Sequence, residues 1–509
     1  MDERLPAVKM RNITKRFGEV LANDKCWLDI YRGEILAMLG ENGSGKTTLM
    51  NMLSGIYFPD EGQIFIDGRE TVIRSPKDAL DLGIGMVHQH FKLVDVFTAA
   101  ENIALGLPGK LDLKAATARI REICDRYGFD VDPSMKIYDM SVSQKQTVEI
   151  IKVLYRGADI LILDEPTAVL TPQETDRLFR ILRNMRDDNK AIVIITHKMH
   201  EVEQLSDRVA ILRKGQFVGD MLTRDTNARE MTNHMVGRPV ELNIVRTDPV
   251  NSVPRIRVEG LTVRDAEGIT KLDNVSFTAN SGEILGIAGV SGSGQKELLE
   301  AISGLQPVVS GSVDYIEDDG SKTPLLGKDP LEIRRKGVTL SFVPEDRLGM
   351  GLVGNMDLAD NVMLRSYRDG SSLFTNRKAP YTLAKQIVDS LDVVTPNIET
   401  PVRRLSGGNV QKILVGREIS MAPTVLLTAY AVRGLDINSS YTIYDLICAQ
   451  KAKGVSVIYV GEDLDVLLEL CDRIVVLCGG KVSGILDART ATKRRVGAMM
   501  TKIGGETDE

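Results

Sequence analysis

Gly40-Glu41-Asn42-Gly43-Ser44-Gly45-Lys46-Thr47 is the stretch that decides the fold. It follows an apolar run, Glu34-Ile35-Leu36-Ala37-Met38-Leu39, which reads as a buried strand. It leads into Thr48-Leu49-Met50, which opens a helix. Strand, glycine-rich loop and helix in this order are the setting in which G-x-x-x-x-G-K-[ST] cradles the phosphates of a nucleotide. Gly40, Gly43 and Gly45 let backbone N–H groups converge on phosphate oxygens, and the helix N-terminus adds partial positive charge. Asn42, Ser44 and Thr48 complete the expected nucleotide contacts. Lys46 is expected to hold the β- and γ-phosphates, and Thr47 to ligate Mg²⁺.

A second motif fits the first. Ile160-Leu161-Ile162-Leu163 is a strand-sized apolar run that ends in Asp164-Glu165. Asp164 is expected in the magnesium shell. Glu165, one residue on, is expected to orient and deprotonate an attacking water, a role typically worth ~10²–10⁴ in rate.

The chain of 509 residues exceeds one ordinary core, and an internal repeat supplies the domain count. Gly33-Glu34-Ile35-Leu36 and the helix ending at Ser54-Gly55 are matched by Gly282-Glu283-Ile284-Leu285 and a helix ending at Ser303-Gly304. Ser206-Asp207-Arg208-Val209 is matched by Cys471-Asp472-Arg473-Ile474. The expectation is a domain over 1–240, a linker over 241–254, a second domain over 255–503 and a frayed tail over 504–509. In each half, strand-like runs alternate with amphipathic helical stretches, which predicts an α/β fold with a largely parallel sheet.

Composition narrows the function. The charged fraction is 26%, the hydrophobic fraction 43% and the net charge -6, which argues against nucleic acid as the main partner. No stretch approaches the ~20 apolar residues of a membrane span, and Met1-Asp2-Glu3-Arg4 has no apolar run behind it to suggest a signal peptide. The five cysteines are scattered without CxxC spacing, so reduced thiols are expected instead of disulfides or zinc.

With these motifs in order, each half resembles an ABC-type nucleotide-binding domain. The resemblance implies a RecA-like α/β core with a helical subdomain and an N-terminal antiparallel β region, binding ATP with Mg²⁺. It implies that Gln89, in Val87-His88-Gln89-His90, is the Q-loop glutamine, sensing γ-phosphate and the metal. His197, in Ile195-Thr196-His197, resembles the switch histidine, and Phe17 the aromatic that stacks on adenine. His88, His90, His200 and His234 hold no motif position and are read as structural or surface residues.

The second half keeps the cradle and loses the hydrolytic groups. Gly289, Gly292 and Gly294 retain the glycine spacing, but Gln295 takes the lysine position. Lys296, one residue later, is turned about 100° away on the helix. Ala429 and Tyr430 replace the paired carboxylates, Glu345 takes the Q-loop position and Glu462 the switch position. The signature motif is better preserved here: Leu405-Ser406-Gly407-Gly408-Asn409 resembles LSGGQ, and Leu435-Asp436 keeps the D-loop. The first half has Met140-Ser141-Val142-Ser143-Gln144 and Leu170-Thr171 at the matching places.

ABC domains pair head to tail, so the resemblance implies one complete site, with Lys46, Asp164, Glu165 and His197 from the first half and Ser406, Gly407, Gly408 and Asp436 from the second. The other site would be degenerate. Fused domains with this asymmetry resemble the ATP-binding subunit of bacterial importers for monosaccharides and nucleosides. Gly85-Met86-Val87-His88-Gln89-His90-Phe91-Lys92-Leu93-Val94 and Glu165-Pro166-Thr167-Ala168-Val169-Leu170-Thr171-Pro172-Gln173-Glu174 lean toward the nucleoside branch, with ribose- and galactose-type importers as the alternative. The implied partners are two polytopic permease subunits and a substrate-binding lipoprotein, on the cytoplasmic face of the membrane. Ser143 and Ala431 depart from the relatives' usual glycine and proline, both at or near the degenerate site. A soluble translation-associated ABC protein usually has two intact sites and a long charged helical linker. A DNA-repair or chromosome ATPase would show a coiled coil or zinc-binding cysteines. Neither pattern is present.

Overall fold

The computed structural model describes residues 5–89, 91–107, 112–168, 170–237, 244–249, 252–290, 292–367 and 376–502. Expectations placed on residues 1–4, His90, Val169 and Ser291, on linker positions 241–243 and 250–251, and on the chain from 503 onward lie outside them. The chain divides into two compact units, Met1–Glu241 and Leu242–Glu509.

In the first unit a six-stranded sheet runs in the order Gln216–Leu222, Arg208–Arg213, Glu34–Leu39, Ala191–Ile195, Ile160–Asp164, Ile84–Val87. All pairings are parallel except the outermost, Gln216–Leu222 against Arg208–Arg213. A parallel sheet covered on both faces needs continuous apolar strands. Ile160 and Ile162 accordingly pack with Met38 and Val193 on one face, while Leu161 and Leu163 pack with Ile35 and Ile192 on the other.

A separate antiparallel sheet, ordered Val20–Ile30, Val8–Phe17, Glu61–Ile66, Arg69–Thr71, covers the side of the core on which Leu49 and Leu53 lie. The helices Ala99–Ala104, Leu113–Tyr127 and Val142–Tyr155 form the helical layer, joined through buried Ile103, Ile120, Val148 and Ile151. The α/β fold with its antiparallel N-terminal region and helical subdomain is therefore as the sequence implied.

The second unit repeats the plan. Its mixed sheet runs Leu340–Val343, Val425–Ala429, Ser456–Val460, Ile284–Gly289, Arg473–Cys478, Lys481–Asp487. Its antiparallel sheet runs Thr270–Asn280, Pro254–Arg264, Ser310–Ile316, Lys322–Pro324.

Two local readings change. The helix after the first phosphate loop begins at Lys46, not Thr48, so Lys46 is its first residue, with Gly45 capping it at φ 96°. Residues 244–249, expected as linker, are not a bare spacer. Pro254 already belongs to a strand. Arg246 donates to the carbonyls of Leu468 (3.2 Å) and Cys471, and Lys451 donates to that of Thr247. Asp248 pairs with Arg489. Side-chain cations seeking carbonyl and carboxylate partners bind this segment to the rest of the second unit, and no motif announces them.

Candidate functional site

In the first unit, residues 40–48 turn around a cleft of about 460 Å³ whose lining includes Asn42, Lys46, Thr47, Gln89, Asp164 and Glu165. Gly40 is required by close approach: a Cβ there would lie 2.4 Å from the carbonyl oxygen of Leu212 and from Ser44 Oγ. Lys46 is buried and donates to the carbonyls of Gly40 (2.7 Å) and Glu41 (2.9 Å). Burial lowers its pKa to about 8, against the raising influence of Glu165, Asp164 and Glu41.

The fit to a nucleotide and a divalent cation rests on two observations. Among the described residues Ser44 Oγ has no hydrogen-bond partner, a buried polar atom at the bend of the loop. Thr47 Oγ1 stands 3.3 and 3.5 Å from the two oxygens of Asp164, so hydroxyl and carboxylate converge as hard oxygen ligands do around magnesium. Burial and the neighbouring charge of Glu165 raise the Asp164 pKa, a penalty that a bound cation would relieve.

Glu165 sits at the end of its strand with φ 47°, and its N–H donates to the carbonyl of Ile195 at 2.9 Å. A non-glycine residue in the left-handed region is a local strain that the surrounding structure must hold. Here the kink aims the carboxylate between two groups. His197 Nδ1 lies 2.9 Å from Oε1, and Gln89 Nε2 donates to Oε2 at 3.0 Å. The histidine contact is the largest influence on Glu165 and lowers its pKa. The structure thus brings Lys46, Thr47, Gln89, Asp164, Glu165 and His197 into one constellation, with an ionised carboxylate suited to accept a proton from water.

Phe17 stands apart from the lining of this cleft. It is 42% exposed and stacks edge-on against Tyr57, with ring centroids 5.1 Å apart. An exposed aromatic pair presents a face to a planar ligand. Tyr57 was not legible from motifs, nor were Val20, Leu21, Ala22 and Lys214, which also line the cleft. Only the Lys214-Gly215 turn carries a local signal, and it indicates a turn, not a ligand.

The second unit has the same backbone with other chemistry. Tyr430 adopts φ 50°, and its N–H donates to Val460 at 2.9 Å, as Glu165 does to Ile195. Gln295 is buried and donates to the Val290 carbonyl at 3.2 Å. Lys296 turns outward to Glu300 at 3.8 Å. Burial raises the Tyr430 phenol to about 12, so it stays neutral where a base would be needed. One further difference between the units has no motif to mark it. Arg264 pairs with Thr270 as Arg16 pairs with Leu21, so the next residue, Asp265, takes the place of Phe17; its carboxylate pairs with Lys271 and accepts from the N–H groups of Glu267 and Ile269.

In the same unit Ser406 caps the helix Gly407–Ser420. Its hydroxyl accepts from Asn409 Nδ2 at 2.9 Å, and Ser406 itself is exposed. Asp436 caps the helix Ile437–Ala452 through Ser439. A Cβ on Gly408 would lie 3.3 Å from Asp436 Oδ2, so signature and D-loop pack closely. The matching helix of the first unit, Val142–Tyr155, is capped by Ser141, but Val142 presents an exposed apolar side chain where the glycine would be.

The family model described as "ABC transporter" matches residues 24–168 and 272–428. The chain is 40% identical to the nucleoside import ATP-binding protein NupA of Lactococcus lactis subsp. cremoris, over 99% of each chain. It is 41% identical to the guanosine import ATP-binding protein NupO of Bacillus subtilis, over 97% of each. It is 40% identical to the glucose import ATP-binding protein TsgD13 of Haloferax volcanii, over 99% of this chain and 97% of the relative.

Proposed function

The chain belongs to the ABC transporter family and is the ATPase of an importer; on that premise we propose that its cargo is a nucleoside and that hydrolysis is confined to the first unit's site. The observation that carries the one-site reading is the contrast between Glu165, held between Gln89 and His197, and Tyr430, a neutral phenol at the same backbone position.

In this reading the residue 40–48 loop and Lys46 bind the β- and γ-phosphates of ATP. Thr47, Asp164 and Gln89 would hold Mg²⁺, which when bound neutralises charge on the phosphate oxygens. Glu165 orients the attacking water and accepts its proton. His197 and Gln89 keep Glu165 ionised and aimed. Phe17 stacks on adenine. Ser406, Gly407 and Gly408 supply a hydroxyl and backbone donors to the γ-phosphate, with Asp436 behind them. This last assignment rests on the sorting of intact motifs between the two units. The second unit, with Gln295, Ala429, Tyr430, Glu345 and Glu462, does not hydrolyse.

Among the described residues no helix is long and apolar enough to cross a membrane. We assign the chain to the cytoplasmic face, working with two permease subunits, docked near residues 89–100 and 345–358, and a receptor lipoprotein. The nucleoside assignment draws on the sequence around Gln89 and Glu165 and on two similar proteins named for nucleoside and guanosine import. The ATPase does not touch cargo. The test is therefore co-purification with two polytopic membrane proteins, then ATPase stimulation by receptor loaded with a nucleoside or with a monosaccharide. Stimulation by the nucleoside-loaded receptor is expected. Stimulation only with a pentose or hexose would move the cargo to the sugar class.

A further inference from the structure

The corner of the second unit that lost its hydrolytic groups is not simply eroded. Arg433 reaches both residues that replaced the sensing pair. It forms ion pairs with Glu345, at the Q-loop position, and with Glu462, at the switch position, the latter at 3.0 Å. Its guanidinium lies 5.9 Å from the centroid of the Tyr430 ring. A second arginine continues the connection. Arg347 donates through Nη2 to the carbonyl of Arg433 and through Nη1 to that of Gly407 at 3.4 Å. Asp346 caps the turn carrying Arg347, accepting from Gly349 N–H at 2.8 Å. In the first unit the matching positions hold Ala168 and Phe91, which offer no cation.

We propose that Arg433 and Arg347 are positioning residues for hydrolysis at the first unit's site. They form a frame that fixes the Ser406-Gly407-Gly408 loop and the segment leading to Asp436. This rests on the reading that these groups complete that site. Glu345 and Glu462 gain a role in it: a glutamine and a histidine would not anchor a guanidinium as two carboxylates do. A planar guanidinium can serve two carboxylates at once, which an ammonium group serves poorly. Arg433 is itself exposed, so its pairs contribute little to global stability. Their effect is local, on a loop whose donors must be placed before charge develops on the transferring phosphoryl group.

The test uses the assembled importer with R433Q, R347A and the conservative R347K, alongside S406R as a control. The expected result is a kcat lowered about tenfold in R433Q and R347A, with KM for ATP and the melting temperature nearly unchanged. R347K, which can keep one carbonyl contact, should recover part of the loss. Amide exchange in a peptide spanning 403–412 should quicken in R433Q and R347A, and this is readable even if assembly suffers. Unchanged kcat and exchange would overturn the frame. A rise in KM matching the fall in kcat would instead make Arg433 a nucleotide contact and also overturn it. If S406R leaves turnover intact, the composite-site reading fails. If S406R abolishes turnover while the arginine variants behave as the parent, only the frame fails.

Discussion

Glu165 Oε1 and His197 Nδ1 lie 2.9 Å apart, and this pair joins the end of one central strand to the loop after its neighbour. With Gln89 on the other oxygen, both carboxylate oxygens are engaged. E165Q keeps the shape and removes the base. It should lower single-turnover hydrolysis by about 10²–10⁴, the worth of a positioned base, while retaining ATP binding. Near-parental hydrolysis would remove Glu165 from this role.

The same contact sets a pH dependence. The hydrogen bond to His197 lowers the Glu165 pKa, and burial opposes it. In H197A the lowering influence is lost, so the Glu165 pKa rises. The acid limb of the kcat/KM profile should move to higher pH, beyond any uniform loss of activity. An acid limb that stays in place would show that Glu165 does not report there.

The two phosphate loops should respond unequally. Lys46 is a buried cation that donates to the loop carbonyls of Gly40 and Glu41, whereas Gln295 is a neutral amide that donates to the carbonyl of Val290. A cation about 4 Å from a phosphate charge contributes on the order of 4 kcal/mol at an effective dielectric near 20, before desolvation. K46A should therefore reduce turnover by orders of magnitude and Q295A only slightly. Equal losses would contradict a single hydrolytic site.

Phe17 and Tyr57 form an exposed edge-to-face pair, whereas the second unit has Asp265 at the matching position. Stacking of a base on an aromatic is worth about 1–3 kcal/mol. F17A should raise KM for ATP roughly fivefold or more with a smaller effect on kcat, and F17W should restore it. A change confined to kcat would place the adenine elsewhere.

Stability should be sensitive at Lys451. Its ammonium lies 2.7 Å from Asp472, with side-chain exposures of 1% and 8%. The equivalent Arg186–Asp207 pair of the first unit is 27% and 40% exposed. K451M leaves a buried carboxylate uncompensated and should cost about 3–5 kcal/mol. R186M should cost about 1 kcal/mol or less. Denaturant unfolding read separately for each unit would check the contrast.

What the sequence disclosed follows the range of the interactions. The phosphate loop, the strand ending in Asp164-Glu165 and the capped signature helix are local patterns, each legible as a string. The parallel core was legible because both faces of its strands are apolar. Contacts between distant segments were not. Glu345 and Glu462 read as two separate losses, and only the fold brings Arg433 to both. Arg246 and Lys451 look like ordinary surface cations, yet they secure the segment before Pro254. Asp265 was missed because strand register, not motif spacing, aligns it with Phe17.

The most direct test of the account is ATP turnover by the assembled importer carrying S406R, compared with S141R. Both serines cap the matching helix of their own unit. If the first unit's site is completed by the second unit's signature, S406R reduces turnover to background and S141R leaves most of it. Equal inhibition by the two substitutions, or inhibition by S141R alone, would contradict the account.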